Sequence, residues 1–237
     1  MNFIDIHCHV LPGMDDGPGA PEEAAEMLLM AEQDGISSLF ATPHILDGLF
    51  SNRGPEIIAS VERLRPHAPP GLNLLWGADV RVVPDLIRRI ESGEIVTLGG
   101  SGYLLLELPE YIVPPHLDSL IFSLRHKGMT PVITHPERHL RLMHDHAALG
   151  VLKDRGAMHQ ITAMSITGGF GREIMQAGLS MIRKGLADVV ATDAHNTVAR
   201  PPLLSRAYKE VERQFGEKTA ELLFFQNPGK ILESVGC

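Results

Sequence analysis

Cysteine is nearly absent from this chain of 237 residues, occurring only at Cys8 and Cys237. A disulfide framework is thereby excluded, and so sparse a use of thiols suits a reducing compartment. The Cys-x5-Arg pattern of thiol-based phosphotransfer is also missing: counting from Cys8 reaches Met14, and no arginine follows Cys237. A covalent cysteinyl-phosphate route is therefore excluded. No segment approaches the ~20 uninterrupted apolar residues of a membrane span. Met1-Asn2-Phe3-Ile4-Asp5 has neither a basic n-region nor a long apolar h-region, so the expected location is cytoplasmic, without membrane insertion. Positive charge is in deficit, with a formal net charge of -8, which argues against nucleic acid as partner because polyanions are held mainly by phosphate neutralisation. Gly100, Gly102, Gly168, Gly169 and Gly171 complete no nucleotide-binding fingerprint and read as turn residues. His135-Pro136-Glu137-Arg138-His139 does not follow the H-E-x-x-H order of a zinc-protease helix.

What is present is an ordinary globular composition, 44% hydrophobic with 23 Gly and 17 Pro, read as one domain over residues 1–237. A chain of this size buries roughly 70–75% of the surface its unfolded form exposes, so no covalent staple is needed. Apolar strand-like runs cover Phe3–Ile6, Ser38–Thr42, Leu72–Trp76, Tyr103–Leu106, Pro131–Thr134, Met158–Ile161 and Asp188–Thr192. Runs such as Leu104-Leu105-Leu106 and Val189-Val190-Ala191 suit strands buried on both faces of a parallel sheet. Between them lie helical patterns at Pro21–Asp34, Pro84–Ser92, Pro114–Lys127 and Arg172–Lys184. A further helical region runs over Leu203–Phe225, interrupted near Gly216, and then Pro228–Ser234. The first has Ala24, Ala25, Leu28, Leu29 and Ala31 on one face and Glu22, Glu23, Glu26 and Glu32 on the other. The alternation predicts an α/β chain.

Nearly every run ends in a group able to bind a metal. His7 and His9 close the first, and Asp193 and His195 repeat the device after the last. His44, Asp79, Glu107 and His135 end others, and Asp15-Asp16 follows the first in a Gly-flanked turn. Taken singly, each has a bland alternative: a hydrogen-bonded loop histidine for His44 and His135, a turn residue for Asp79, a paired carboxylate for Glu107. Taken together they call for one site, and a closed barrel brings all carboxyl ends to a common mouth where an open sheet does not. Seven runs rather than eight predict a distorted or incomplete barrel.

His7-x-His9, Asp16, Ala41-Thr42-Pro43-His44, Thr134-His135-Pro136-Glu137-Arg138 and Thr192-Asp193-Ala194-His195-Asn196 resemble the polymerase and histidinol phosphatase superfamily. The opening His7–Pro18 and the closing Asn227-Pro228-Gly229-Lys230-Ile231 are similar to its bacterial capsule-associated tyrosine phosphatases. The resemblance covers essentially the whole chain. It implies a distorted seven-stranded β/α barrel, a centre of three divalent metals, and hydrolysis of phosphotyrosine on the tail of a bacterial tyrosine kinase that governs capsule or exopolysaccharide synthesis. By motif it implies one metal on His7, His9, Asp79 and Asp193, a second on Asp79, Glu107 and His135, and a third on Asp16, His44 and His195. Relatives usually carry Glu at the bridging position, and Asp79 is one methylene shorter. Either its strand end lies further inward or one metal is held less tightly. Arg138 and Arg200 match the phosphate-binding arginines.

The residue types support the same chemistry independently of the resemblance. Mixed imidazole and carboxylate ligands suit Mn, Fe, Zn or Co, with Mg disfavoured by so many histidines; Mn is the ion expected among them. Such ions lower the pKa of bound water towards ~7 and grip phosphoryl oxygens, which predicts attack by a metal-bridging hydroxide. Planar guanidinium groups can pair two phosphoryl oxygens, although a rim salt bridge is the alternative for each arginine. Gln160 can hydrogen-bond a ligand or phosphate, or simply line the mouth. Asp47–Gly54 reads as a mouth loop in which Phe50 and Arg53 meet the substrate. His139, His144, His146 and His159 read as solvated or hydrogen-bonded. Two alternatives to tyrosine phosphatase stay open: a small-molecule phosphatase or phosphodiesterase acting on histidinol phosphate or an oligonucleotide, and a non-catalytic metal-binding or kinase-docking protein.

Overall fold

The computed structural model describes residues 1–236; Cys237 lies outside the described residues. In chain order the elements are β1 (Phe3–Cys8), α1 (Pro21–Gln33), β2 (Ile36–Ala41), β3 (His44–Leu46), β4 (Phe50–Ser51), α2 (Gly54–Leu64), β5 (Asn73–Trp76), β6 (Asp79–Arg81), α3 (Leu86–Glu91), β7 (Tyr103–Glu107), α4 (Leu117–His126), β8 (Thr130–Thr134), α5 (His146–Asp154), β9 (Met158–Thr162), α6 (Ala163–Ile166), α7 (Arg172–Arg183), β10 (Val189–Ala191), α8 (Ser205–Phe215), α9 (Glu217–Glu221) and α10 (Asn227–Glu233). Each expected run forms a strand, and each expected helix is found within a few residues. Three helices were not anticipated: α2, α5 and α6. The signal for α5 was Asp145, whose carboxylate caps the helix by accepting from the Ala148 amide at 2.9 Å. In α1 the buried face is Ala24, Met27, Leu28 and Ala31, while Leu29 is exposed.

The strands build two sheets, β1-β2-β5 and β10-β9-β8-β7-β6-β3-β4, parallel except for the β3–β4 hairpin. A distorted or incomplete seven-stranded barrel is the expectation; the mixed α/β fold with parallel sheets is found, and no continuous ladder closes on itself among the described residues. Two strands break in mid-course, β2 from β3 at Thr42-Pro43 and β5 from β6 at Gly77-Ala78. Pro43 has no N–H to continue a ladder, and a Cβ on Gly77 would lie 2.6 Å from Leu98 Cδ2. Between β1 and the end of β10 the pairing shrinks to one bridge, Cys8 to Ala194. There Asp193 takes a left-handed φ of 51° and leaves the extended conformation. A buried carboxylate spans this seam instead: Asp5 on β1 accepts from the Thr192 amide at 2.9 Å and from its hydroxyl at 2.5 Å.

Alternation along the strands sends side chains to two cores. Leu104 and Leu106 join the larger one, packed against the helices, while Leu105 turns to a smaller one. That smaller core gathers Ile4, Ile6, Phe40, Leu105, Val132, Val189 and Ala191 from both sheets, with Ile231 of α10 added. At roughly 25 cal/mol per Å² of apolar area, burial on both faces is the main force holding the strand ends in common register.

Candidate metal centre

All the expected ligand-bearing strand ends come to the same side. His7 and His9 flank Cys8 at the end of β1, and both imidazoles are fully buried. Their Nε2 atoms lie 3.0 Å apart. Each ring is fixed through its other nitrogen: His7 Nδ1 bonds Gln160 Oε1 at 2.9 Å, and His9 Nδ1 bonds Asp15 Oδ2 at 2.7 Å. Such outer partners set the tautomer and aim the free nitrogen inward. Asp15 and Asp16 are thereby distinguished. Asp15 also accepts from the His44 and Gly17 amides at 3.0 Å each, so it is spent on orientation, whereas Asp16 Oδ1 faces His195 Nε2 at 3.3 Å and His44 Nε2 at 3.7 Å. The turn can lie this close because residue 17 is glycine: an added Cβ would sit 2.3 Å from the His9 carbonyl oxygen.

Asp79 is fully buried, and the break at Gly77-Ala78 carries it inward. Despite its shorter side chain, Oδ2 lies 3.3 Å from His44 Nδ1 and 3.6 Å from His7 Nε2. His44 Nδ1 is also 3.7 Å from Glu107 Oε2, and His135 Nε2 is 3.9 Å from Glu107 Oε1. Asp193 divides its two oxygens. Oδ1 faces His9 at 3.5 Å and His7 at 3.6 Å, while Oδ2 meets Arg138 at 2.5 Å and Arg200 at 2.6 Å. Of the non-glycine residues with positive φ, two are site residues, His135 and Asp193. Strain of this kind costs of order 1–3 kcal/mol and persists where packing over-determines it.

The donor set fits a cation cluster. Ligand atoms of His9, Asp16, His44 and His195, of His7, His9 and Asp79, and of His44, Asp79 and Glu107 each lie within 4.8 Å of one another. This grouping differs from the one the resemblance implied: His9 joins Asp16, His44 and His195, and His44 rather than His135 stands with Asp79 and Glu107. His44 Nδ1, Asp79 Oδ2 and His195 Nε2 are buried without a hydrogen-bond partner, a costly arrangement unless something charged sits between them. Burial lowers the pKa of His7, takes His135 down to about 3 and, with His9 nearby, takes His195 down to about 4. These rings are neutral near pH 7 and offer lone pairs. Burial opposes charge on His9 too, but Asp15 and Asp193 outweigh it and push its pKa up to about 10. Burial also raises the Asp193 carboxyl, yet His7, His9 and Arg200 hold it well below the usual carboxylate range.

The cluster lies beside a cavity of about 560 Å³ lined by Asp16, His44, Glu107, His135, Asp193 and His195 together with Arg81, Arg138 and Arg200. Arg81 and Phe170 were missed in the sequence. Arg81 Nη2 pairs with Glu107 Oε2 at 3.0 Å, a short-range partner visible only once β6 and β7 are registered. In the expected mouth loop Phe50 stacks on His44 with ring centroids 5.9 Å apart and Arg53 is exposed at the start of α2, and neither residue lines the cavity. Cys8 is buried, and burial raises its thiol pKa well above the ordinary value, in keeping with a non-catalytic thiol.

Residues 3–233 match the family described as capsular polysaccharide synthesis, CpsB/CapC. The chain belongs to that family. It is 34% identical over 97% of its length to a putative tyrosine-protein phosphatase CapC of Staphylococcus aureus, 91% of which is covered. It is 32% identical to the tyrosine-protein phosphatase YwqE of Bacillus subtilis, covering 93% of this chain and 88% of that protein. Among solved structures, one from the work on YwqE of Bacillus subtilis and CpsB of Streptococcus pneumoniae, presented as metal-dependent tyrosine phosphatases, superposes with a TM-score of 0.92. It shares 32% identity and covers 98% of this chain and 94% of that one. A phosphotriesterase homology protein of Escherichia coli, with a TM-score of 0.56 and 10% identity, shares the CpsB/CapC chain's fold alone.

Proposed function

We propose that this CpsB/CapC chain is a metal-dependent protein-tyrosine phosphatase. The observation that carries the reading is the gathering, beside one cavity, of His44 Nδ1, Asp79 Oδ2 and His195 Nε2, buried without hydrogen-bond partners, with two arginines held on the far oxygen of Asp193. His7, His9, Asp16, His44, Asp79, Glu107, His135, Asp193 and His195 would hold three divalent ions, manganese foremost, with Fe, Zn, Co or Mg as alternatives. When bound, such ions polarise the phosphoryl group and supply an activated water. Arg138 and Arg200 pair phosphoryl oxygens and offset the charge that builds on them. Asp193 Oδ2 orients both guanidinium groups while its other oxygen serves the cluster. A phenolate leaving group has a parent pKa near ~10, well below that of an alkoxide, so the chain needs no strong acid of its own.

The substrate we infer is a phosphotyrosine-bearing tail of a bacterial tyrosine kinase that controls capsule or exopolysaccharide synthesis, met in the cytoplasm. Residues 1–237 are read as one phosphatase domain, and its strand order as a distorted seven-stranded barrel of polymerase and histidinol phosphatase type interrupted at two strand breaks. Hydrolysis of a phosphotyrosine peptide by metal-loaded protein, abolished in His135→Ala, is the expected result. Faster turnover of histidinol phosphate or an oligonucleotide than of the peptide would overturn the substrate reading.

A further inference from the structure

We propose that Phe170 is a positioning residue for phosphate binding, its ring serving both arginines as a common platform. The Arg138 guanidinium carbon lies 4.5 Å from the Phe170 ring centroid and that of Arg200 lies 5.9 Å from it. Both distances fall within the range where a cation is attracted to an aromatic face. Phe170 also lines the cavity. The proposal rests on the reading of this cavity as a phosphoryl site.

Both guanidinium groups share one fixed point on the polar side, Asp193 Oδ2. Arg200 adds a bond from Nη2 to the Asp193 carbonyl oxygen at 3.0 Å. A single shared oxygen leaves rotation about the contact free, particularly for Arg138. An aromatic ring beside the group restricts that rotation and decides which N–H groups remain turned to the cavity. The segment carrying Phe170 is built for this placement. Gly168 and Gly171 take positive φ of 82° and 93°, a conformation that side chains disfavour, and Gly171 then opens α7. Phe170 is thus held in a tight turn between α6 and α7, with both arginine guanidinium groups within cation–π distance of its ring.

The test uses full-length, metal-loaded protein, with inorganic phosphate as probe. Calorimetry would read the phosphate dissociation constant of the wild type, Phe170→Leu and Phe170→Tyr, alongside metal content and kcat/KM on an aryl and an alkyl phosphate. Phe170→Leu should bind phosphate about tenfold more weakly, the scale two such contacts can supply, with metal content unchanged. Its kcat/KM should fall by a similar factor on both esters, and Phe170→Tyr, which keeps the ring, should stay near wild type. Unaltered phosphate affinity in Phe170→Leu would overturn the proposal. So would a loss confined to the aryl ester, which would place the ring against the substrate's own ring, or a parallel loss of metal. Because phosphate binding is read without turnover, absence of phosphotyrosine hydrolysis in the wild type would count against the proposed function alone.

Discussion

Two side chains of the site make separable contributions. Gln160 touches the centre only through His7 Nδ1, so Gln160→Ala should weaken metal binding about 10- to 100-fold while the protein stays folded, as chelator competition and circular dichroism would read. Retention of wild-type affinity would mean that His7 needs no orienting partner. Arg138 lies on the opposite side of Asp193 from the histidines. Arg138→Ala should keep its metal, measured by elemental analysis, and lose about 10²–10³-fold in kcat/KM on a phosphotyrosine peptide, the usual scale for removing a donor to a developing oxyanion. Normal turnover at subsaturating substrate would defeat the assigned role.

At the level of elements, the ligands depend on short turns that hold them against the strands. Gly17→Ala puts a methyl group into the His9 carbonyl, so the Asp15-Asp16 turn must move; metal affinity should fall with little change in the far core. The turn after β8 is secured by Glu137, which is fully buried and accepts from the Thr162 amide at 2.9 Å and from Ser165 Oγ at 2.7 Å. Burial pushes its pKa up to about 7 from an ordinary 4.5. A carboxyl raised in the fold contributes stability that is fully present below the unfolded pKa and is lost as pH rises through the folded one. On the order of 3 kcal/mol should therefore disappear between about pH 4.5 and 7. Glu137→Gln should flatten that part of the stability–pH curve in urea titrations, although Asp5, raised to about 7 by burial in the same way, keeps its own share of the slope. An unchanged slope would show Glu137 ionised in the fold.

Periodicity and strand-end chemistry carried much of this into view. Apolar runs marked β1, β2, β5, β7, β8, β9 and β10 but not the short β3, β4 and β6, and a ligand at the end of nearly every run marked the mouth. The breaks at Pro43 and Gly77 escaped notice because they matter only through pairing with neighbouring strands. For the same reason the runs pointed to a distorted or incomplete barrel without showing where the ladder splits. The sharing of ligands was likewise hidden: His44 sits between Asp79 and Asp16 through its two ring nitrogens, a relation between three elements that spacing along the chain does not encode. Phe170 gave no signal, since an aromatic residue among turn glycines has no periodicity.

Across the whole molecule, residues from Asp16 to Arg200 line one cavity, with His7, His9 and Asp79 buried behind it, on strands whose core residues belong to both sheets. Without cations, the mutually facing acids and unpartnered ring nitrogens of the centre are a destabilising feature of the fold, and ions bound only by the native state stabilise it by mass action. Chelation should lower the melting temperature by several degrees, and readdition of Mn should restore it. The most direct test of the account is elemental analysis of the purified protein paired with phosphotyrosine-peptide hydrolysis across a series of added metals. The account predicts more than one bound divalent ion per chain and turnover that disappears with those ions and returns with them. Full peptide hydrolysis by metal-free protein, or a chain that binds no divalent ion, would contradict it.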